Sequence, residues 1–253
     1  GAVSICSLKR FAGDEFSDYI PECEEKNGKK VAVVGGGPAG LSCAYFLLLK
    51  GYSVDVFEAE EKAGGMLRYG IPAYRLPKDV LDKEIENIGK MGAQFNYNKK
   101  LGRDFTIEGL KAEYDAVFVA TGAWKSSSLR CENDNAEGVI GGIDMLYKVA
   151  NGEKVDLGKN VAVVGGGNTA IDAVRTAVRL GAENVTLIYR RTESEMPAEK
   201  DEIKNAKEEG VNFKFLVAPL NVVAENGKVK GINLQKMELG EPDSSGRRSP
   251  VAI

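Results

Sequence analysis

The stretch "VAVVGGGPAGLSCAY" runs from Val31 to Tyr45, and "VAVVGGGNTAIDAV" runs from Val161 to Val174. Each begins with an apolar run typical of a buried strand, continues through three glycines, and opens a helical pattern. A strand, a glycine-rich turn and a helix in this order form the unit that binds dinucleotides. The repeat therefore predicts the α/β class, with two Rossmann-like dinucleotide-binding domains built on central parallel sheets.

In the first copy, each glycine of Gly35-x-Gly37-x-x-Gly40 has a separate task. The first permits the tight turn, the second lets the backbone approach a pyrophosphate, and the third lets the helix pack close to the strand. Glu58 ends the next strand about 20 residues later, where a carboxylate accepts hydrogen bonds from an adenosine ribose. Because a carboxylate repels a 2′-phosphate, this copy predicts FAD or NAD rather than NADP. A glycine turn with a purely structural role is the alternative.

A second glycine pair, Gly64-Gly65, follows closely behind Glu58. Glycine lets the backbone approach a ligand, since it has no Cβ. We therefore predict that this pair lies against a flavin and its diphosphate. An ordinary turn is the alternative interpretation.

The second copy differs at two points. Its third position is Ala170, which the fingerprint allows. The strand "VTLIYRR" carries Arg190 and Arg191 where we expect the counterpart of the acid. Guanidinium groups bind a 2′-phosphate through charge-assisted, often bidentate hydrogen bonds, so this copy predicts NADPH. Alternatively, the two arginines only solvate the end of the strand.

Composition excludes several other classes of function. Lys plus Arg number 34 against 37 Asp plus Glu, and the net charge of −3 predicts no nucleic-acid partner. No apolar run approaches the roughly 20 residues of a membrane span, so no membrane association is predicted. The chain contains no histidine, which excludes imidazole chemistry. Its four scattered cysteines, Cys6, Cys23, Cys43 and Cys131, predict no metal site and a reducing, cytoplasmic setting.

The patterns also divide the chain. Residues 1–29 are predicted to be an irregular arm, 30–124 the first part of an FAD-binding domain, and 125–253 an NADPH-binding domain. Two alternating runs joined by "ENGK" near the end predict a β-meander extension.

The sequence resembles a known family over essentially its whole length. "VAVVGGGPAGLSCAYFLLLKGYSVDVFEAEEKAGGMLRYGIPAYRLP", "FVATGAW", "VAVVGGGNTAIDAVRTAVRLGAENVTLIYRRTESEMPA" and "DSSGRRSPV" are similar to the small (β) subunit of NADPH-dependent glutamate synthase. Its relatives include NADPH–ferredoxin oxidoreductase subunits and the flavin half of dihydropyrimidine dehydrogenase. The resemblance implies an FAD domain interrupted by an NADPH domain.

The resemblance also implies the reaction, an NADPH-dependent FAD oxidoreductase. Hydride passes from NADPH to FAD, and electrons leave through iron–sulfur clusters to a large catalytic or ferredoxin-type electron-accepting subunit. No acid–base side chain is obligatory, because the cofactors supply the chemistry, so we predict no catalytic residue. The clusters are expected only in a missing amino-terminal domain or in the partner. We expect the chain to be truncated at both ends, with 1–29 a linker remnant and the end of the NADPH domain missing.

Fingerprint and resemblance together predict the cofactor-binding residues. Those for FAD are Gly35, Gly37, Pro38, Ala39, Gly40, Glu58, Ala59, Gly65, Met66, Leu67, Ile71, Ala120, Thr121 and Gly122. Those for NADPH are Gly165, Gly166, Gly167, Asn168, Thr169, Arg190 and Arg191.

Other functions have weaker support in the sequence. A disulfide reductase of the two-dinucleotide type needs a redox-active cysteine pair, and neither "MLRYGIP" nor "NTAIDAV" contains cysteine. A flavin monooxygenase or amine oxidase matches the first copy but not the second. A non-catalytic nucleotide-binding fragment and an NADPH–ferredoxin-type reductase with a different terminal acceptor remain the alternatives.

Overall fold

The structure is a computed structural model that describes residues 3–242, 244 and 246–253. The chain folds as two units. The first comprises the residues up to Tyr69 together with Ala73–Ala123, and the second comprises Gly70–Pro72 with Trp124–Ile253. The assignment of one cofactor to each predicted domain stays a prediction.

The amino-terminal segment is partly helical. Helix α1 spans Ile5–Glu15, and every residue of it is exposed. The prediction of an irregular arm over 1–29 is wrong here, because Ile5, Leu8 and Ala12 recur at helical spacing and Arg10 pairs with Asp14 one turn later. Residues 1 and 2 of that arm lie outside the described part of the chain.

The first unit is built on four strands: β1 (Lys30–Val34), β2 (Ser53–Phe57), β3 (Gln94–Asn96) and β4 (Ala116–Val119). They form a parallel sheet in the order β3-β2-β1-β4. The last residue of β1, Val34, pairs with Phe57 on one side and Val119 on the other. Because β1 lies between two strands, its carboxyl end meets the carboxyl ends of both neighbours.

Helices cover both faces of this sheet. They are α2 (Pro38–Leu49), α3 (Met66–Tyr69), α4 (Lys78–Lys90) and α5 (Ile107–Glu113). α4 buries Leu81, Ile85 and Ile88 in one core with apolar residues of α2 and β2. On the opposite face, Leu110 of α5 packs with Ala32 and other apolar residues. α2 confirms the helix predicted after the first glycine turn, whereas the sequence patterns predict neither α3 nor α5.

The second unit repeats the plan with three parallel strands. Its elements are α6 (Gly142–Ala150), β5 (Asn160–Val164), α7 (Asn168–Arg179), β6 (Asn184–Tyr189), a 3₁₀ helix (Glu193–Glu195), α8 (Lys200–Glu208) and β7 (Asn212–Phe215). The strand order is β5-β6-β7. Ile171 and Val174 of α7 pack against Leu187 of β6 and Ala206 of α8. The two parallel sheets confirm the predicted fold class.

The carboxyl-terminal strands confirm the predicted meander. They are β8 (Val217–Glu225), β9 (Lys228–Pro242) and β10 (Arg248–Ala252), antiparallel in the order β10-β9-β8. Asn226 and Gly227 join the first two with φ values of 51° and 76°, as a tight hairpin turn requires. Residues 243 and 245 of the following polar turn lie outside the described residues.

A charged network joins α7 to α8. Arg175 Nη2 donates to Glu209 Oε1 at 2.7 Å, and Arg179 Nη1 donates to Glu209 Oε2 at 2.7 Å. Glu202 pairs with the same Arg175. The side chain of Arg175 is only 8% exposed and that of Glu209 is 23% exposed. The hydrogen-bonded guanidinium groups of Arg179 and Arg175 lower the pKa of Glu209 to about 2.

The lowered pKa predicts how stability depends on pH. An unfolded glutamate titrates near 4.3, so Glu209 contributes fully above that pH and loses its contribution as the pH falls toward 2. We expect Glu209→Gln to lower the free energy of unfolding at pH 7 by about 2 kcal/mol. The difference from the unchanged chain should shrink as the pH falls from about 4.3 toward 2.

Urea denaturation between pH 2.5 and 7 measures this difference. The matched control is Glu183→Gln, which breaks the exposed Lys159–Glu183 pair and should cost about 0–1 kcal/mol. An equal cost for the two variants at pH 7 would contradict the role assigned to Glu209.

Candidate dinucleotide sites

The first glycine turn is packed backbone against backbone. Gly35 has a φ of +108°, and a Cβ added to it would come 2.2 Å from the carbonyl oxygen of Ala120. A Cβ on Gly40 would come 1.8 Å from the carbonyl oxygen of Gly35. The turn is fixed to the sheet, since Gly35 N donates to Phe57 O at 2.8 Å. Only glycine fits at positions 35 and 40.

The amino terminus of α2 forms the other wall of this turn. The helix begins at Pro38 after Gly37, an N-cap residue that has no side chain to cap the first turn. The first amide groups of a helix have no partner within it. With the helix dipole they form a site for an anionic group such as a pyrophosphate.

Glu58 lies buried at the end of β2, with 5% of its surface exposed. Gly36 N donates to its Oε2 at 2.8 Å, and Glu60 N donates to its Oε1 at 2.9 Å. Each carboxylate oxygen still has acceptor capacity beyond one hydrogen bond. The carboxylate is therefore fixed beside the turn and can accept ribose hydroxyls.

The pair Gly64-Gly65 closes over the same turn. Gly64 N donates to Gly36 O at 2.8 Å. Gly65 has a φ of +52°, and a Cβ there would come 2.8 Å from Gly37 Cα. These glycines thus lie beside the first copy of the fingerprint, and their contact with a flavin stays a prediction.

Arg68 supports this closure and is absent from the predicted set. It is buried, its Nε donates to Ala63 O at 2.6 Å, and it pairs with Asp82 of α4. Its guanidinium group therefore anchors the segment before Gly64 to α4. The signal in the sequence is one basic residue within the largely apolar "MLRYGIP".

The other predicted FAD residues differ in exposure and place. Pro38, Ala39 and Ala59 are exposed, while Met66 and Leu67 are half-buried. Beyond β4, Ala120 N donates to Val34 O at 2.8 Å, whereas Thr121 and Gly122 are exposed. Ile71 belongs to the short stretch Gly70–Pro72, which groups with the second unit rather than the first.

The second glycine turn repeats the first with more room. Gly165 has a φ of +144°, and its N donates to Ile188 O at 3.0 Å. A Cβ on Gly165 would come 3.1 Å from the Cβ of Ala170. The Cβ of Ala170 therefore lies directly beside the first glycine of this turn, and the fingerprint allows alanine at this third position.

The start of α7 lies beside two further segments. Asn168 Oδ1 accepts from Glu199 N at 3.0 Å. A Cβ on Gly142, the first residue of α6, would come 3.8 Å from Thr169 Cγ2. Asn168 and Thr169 are themselves exposed, so their polar atoms at the helix start are accessible.

The strand register corrects the prediction for the two arginines. Val34 pairs with Phe57 in the first unit, and Val164 pairs with Ile188 in the second. The residue after each pair is Glu58 in one unit and Tyr189 in the other, so Tyr189 is the counterpart of the acid. Arg190 and Arg191 follow one and two residues later. The sequence comparison misplaced them because it matched charges rather than backbone hydrogen bonds.

The two arginines also have different surroundings. Arg190 is exposed. Arg191 is only 6% exposed, and its Nε donates to the carbonyl oxygen of Arg248 in β10 at 2.7 Å. Arg190 is therefore accessible to a ligand, while Arg191 holds β10 against the end of β6.

Tyr189 fills the space that the carboxylate of Glu58 occupies in the first unit. A Cβ on Gly166 would come within 2.4 to 2.7 Å of three atoms of the Tyr189 ring. Its hydroxyl donates to Glu195 O at 2.9 Å. Tyr189 is absent from the predicted set, and only the strand register reveals it.

The described residues contain neither a cluster of metal-ligating side chains nor a helix that could span a membrane. Within residues 3–242, 244 and 246–253, no cluster of three or more His, Cys, Asp or Glu side chains could hold a metal ion. None of the helices in this part of the chain is both long enough and apolar enough to cross a bilayer.

The sequence is similar to subunits of several oxidoreductases. It is 47% identical to the NADPH-Fe(3+) oxidoreductase subunit beta of Geobacter sulfurreducens, covering 100% of this chain and 39% of that protein. It is 43% identical to the glutamate synthase [NADPH] small chain of Escherichia coli, covering 98% of this chain and 56% of that protein. The resemblance predicted from the motifs is thereby confirmed. The chain spans about half or less of these curated relatives.

Solved structures share the fold at low identity. FprA from Mycobacterium tuberculosis in complex with NADPH has a TM-score of 0.79 at 20% identity, covering 89% of this chain and 67% of that chain. Thioredoxin reductase from Lactococcus lactis has a TM-score of 0.60 at 18% identity, covering 88% and 74%. At these identities the likeness concerns the fold alone.

A family profile covers most of the sequence. The profile described as pyridine nucleotide-disulphide oxidoreductase matches residues 29–243. This span includes both glycine turns, both parallel sheets and the greater part of the meander. On this match the chain belongs to the pyridine nucleotide-disulphide oxidoreductase family.

Proposed function

We propose that the chain binds FAD at the first glycine turn and NADPH at the second, as part of an oxidoreductase that passes electrons to a partner subunit. One observation carries this proposal. Two turns with similar backbones differ in the groups beside them, with a buried carboxylate at one and an exposed arginine at the other. That difference supports one unphosphorylated and one 2′-phosphorylated adenosine ribose.

The residues of the first turn fit FAD. A Cβ would collide with neighbouring backbone at Gly35, Gly40 and Gly65, so the turn keeps a bare backbone surface for a pyrophosphate. The uncapped start of α2 supplies amide donors. Glu58 is held by two backbone amides and offers its remaining lone pairs to ribose hydroxyls.

The residues of the second turn fit NADPH. α7 begins after Gly167, an N-cap residue that has no side chain to cap the first turn, so the amides of that turn can bind the pyrophosphate. No carboxylate occupies the position equivalent to Glu58, and Arg190 is exposed one residue later. Arg191 supports this end of the strand through β10.

The chemistry follows from this pair of sites. When both dinucleotides are bound, FAD supplies an acceptor for the hydride of NADPH and a carrier that passes electrons onward. The chain binds and orients the two groups and needs no acid–base side chain. The relatives are a "subunit beta" and a "small chain", which supports the existence of a partner subunit. That this partner accepts the electrons through iron–sulfur clusters is part of the proposal.

The names of these relatives differ in their reaction: one is an Fe(3+) oxidoreductase, and the other is a glutamate synthase. We therefore propose a shared NADPH-to-FAD step whose terminal acceptor is set by the partner. The scattered free cysteines support a cytoplasmic setting. They also oppose disulfide reduction, since "GGMLRYGIP" and the start of α7 contain no cysteine.

The deciding experiment is a visible absorption spectrum of the purified chain with FAD, before and after anaerobic NADPH. We expect bound flavin that bleaches with NADPH and hardly with NADH, because only NADPH carries the 2′-phosphate. Bound flavin that NADPH leaves oxidised would instead indicate a non-catalytic nucleotide-binding module. NADPH binding without flavin binding would contradict the FAD half of the proposal.

A glycine substitution tests the first turn. We expect Gly65→Ala to lower FAD affinity at least tenfold, because its Cβ would displace Gly37. It should also lower the free energy of unfolding by about 2–4 kcal/mol, the sum of a left-handed backbone and a forced contact. Flavin fluorescence and urea denaturation measure the two effects.

Gly102→Ala is the matched control. Gly102 has a φ of +82° with nothing within 4 Å of an added Cβ. It should cost only about 1–2 kcal/mol and leave FAD affinity unchanged. Equal FAD affinities for the two variants would show that the close approach of Gly65 to Gly37 does not shape the site.

A charge substitution tests the second turn. We expect Arg190→Ala to weaken NADPH binding about tenfold, as the loss of a charged hydrogen bond implies, with NADH binding unchanged. Lys214→Ala removes one exposed positive charge from β7 and serves as the control. Calorimetric titration gives both dissociation constants, and an equal loss for NADPH and NADH would refute the assignment of Arg190 to the 2′-phosphate.

A further inference from the structure

We propose that Tyr189 is a specificity-determining residue of the second turn, because its ring fills the position from which a carboxylate would accept the ribose hydroxyls of NADH and repel the 2′-phosphate of NADPH. The inference deepens the proposed function and rests on the second turn being the NADPH site.

The positional argument comes from backbone hydrogen bonds alone. Gly35 N donates to Phe57 O, and Gly165 N donates to Ile188 O. Each acceptor is followed directly by the residue in question, Glu58 or Tyr189. The two side chains therefore leave equivalent points of equivalent strands, beside the middle glycine of equivalent turns.

The contacts show that both side chains use the same space. In the first unit, Gly36 N donates to Glu58 Oε2, and a Cβ on Gly36 would come 2.9 Å from that oxygen. In the second unit, a Cβ on Gly166 would come 2.4 Å from the Tyr189 ring. The ring thus lies against the backbone where the first unit has its carboxylate.

The bonds of Tyr189 keep the ring in that place. The residue is 7% exposed, and its hydroxyl donates to Glu195 O at 2.9 Å. Glu195 is fixed in turn, because its carboxylate accepts from Thr192 N at 3.1 Å. The ring is consequently a fixed, uncharged wall rather than a mobile side chain.

This wall has opposite consequences for the two dinucleotides. The ribose of NADH has two hydroxyls that seek an acceptor, and the ring face offers none. The 2′-phosphate of NADPH meets no negative charge at position 189 and has Arg190 next to it. The preference for NADPH over NADH then has two sources. The ring of Tyr189 removes an acceptor for the ribose hydroxyls of NADH, and Arg190 adds an attraction for the 2′-phosphate of NADPH.

The test compares three substitutions by the dissociation constants of NADPH and NADH, measured by calorimetry on the full chain. Tyr189→Glu should weaken NADPH at least tenfold and tighten NADH severalfold. Tyr189→Gln, of nearly the same shape as glutamate, should tighten NADH severalfold without a comparable loss of NADPH. Tyr189→Phe keeps the ring and should leave the ratio of the two constants within about twofold.

The outcomes separate this inference from the proposed function. A merely structural role would weaken both dinucleotides equally in the Glu and Gln variants, and that result overturns the inference. If Tyr189→Glu does not fold, as judged by circular dichroism, Tyr189→Gln decides, and no gain in NADH affinity overturns it. Equal binding of NADPH and NADH by the unchanged chain would instead refute the NADPH assignment itself, before any variant is made.

Discussion

The contact between Gly35 and Ala120 is the constraint on which the first unit depends. β1 is flanked by β2 and β4, so the chain leaving its carboxyl end must pass beside the backbone that leaves β4. With only 2.2 Å between an added Cβ and Ala120 O, no side chain fits at that crossing. The same bare backbone that solves this packing problem leaves room for a pyrophosphate, so the sheet topology and the binding surface have one physical origin.

The two turns have similar backbones but bury different side chains beside them, a carboxylate in the first unit and an aromatic ring in the second. Glu58 is a buried carboxylate, which is costly unless hydrogen-bonded, and two amide donors offset that cost. Tyr189 buries mostly apolar surface and needs a partner only for its hydroxyl, which Glu195 provides. The first arrangement keeps a carboxylate beside the glycine turn, and the second has an uncharged ring there.

Local patterns predict most of this fold because they are strongly periodic. An apolar run predicts β1, the glycine turn after it predicts the start of α2, and the apolar run that ends at Glu58 predicts β2. α1 is missed because the polar composition of residues 1–29 outweighed the helical spacing of Ile5, Leu8 and Ala12. α5 has seven residues and α6 has nine, too few for a clear helical repeat.

The site is predicted less completely than the fold, for a physical reason. The glycines and Glu58 are fixed by local turn geometry, which sequence spacing encodes. Tyr189, Arg68 and the contact of Arg191 with Arg248 depend on strand register or on partners distant in the chain. Matching by charge alone therefore aligned Arg190 and Arg191 with Glu58. The strand register aligns Glu58 with Tyr189, which lies one residue before Arg190 and two before Arg191.

The helices that begin at the two turns, α2 and α7, are fixed to their neighbouring helices by different interactions. α2 packs on α4 through apolar side chains such as Leu48 and Ile85, which set distance but little direction. α7 adds the bidentate bonds of Arg175 and Arg179 to Glu209, whose planar geometry fixes rotation and translation as well. A partly buried ion pair is weak evidence for net stability. Its directional bonds instead fix the orientation of the carboxyl-terminal half of α7 relative to Glu209, at the end of α8.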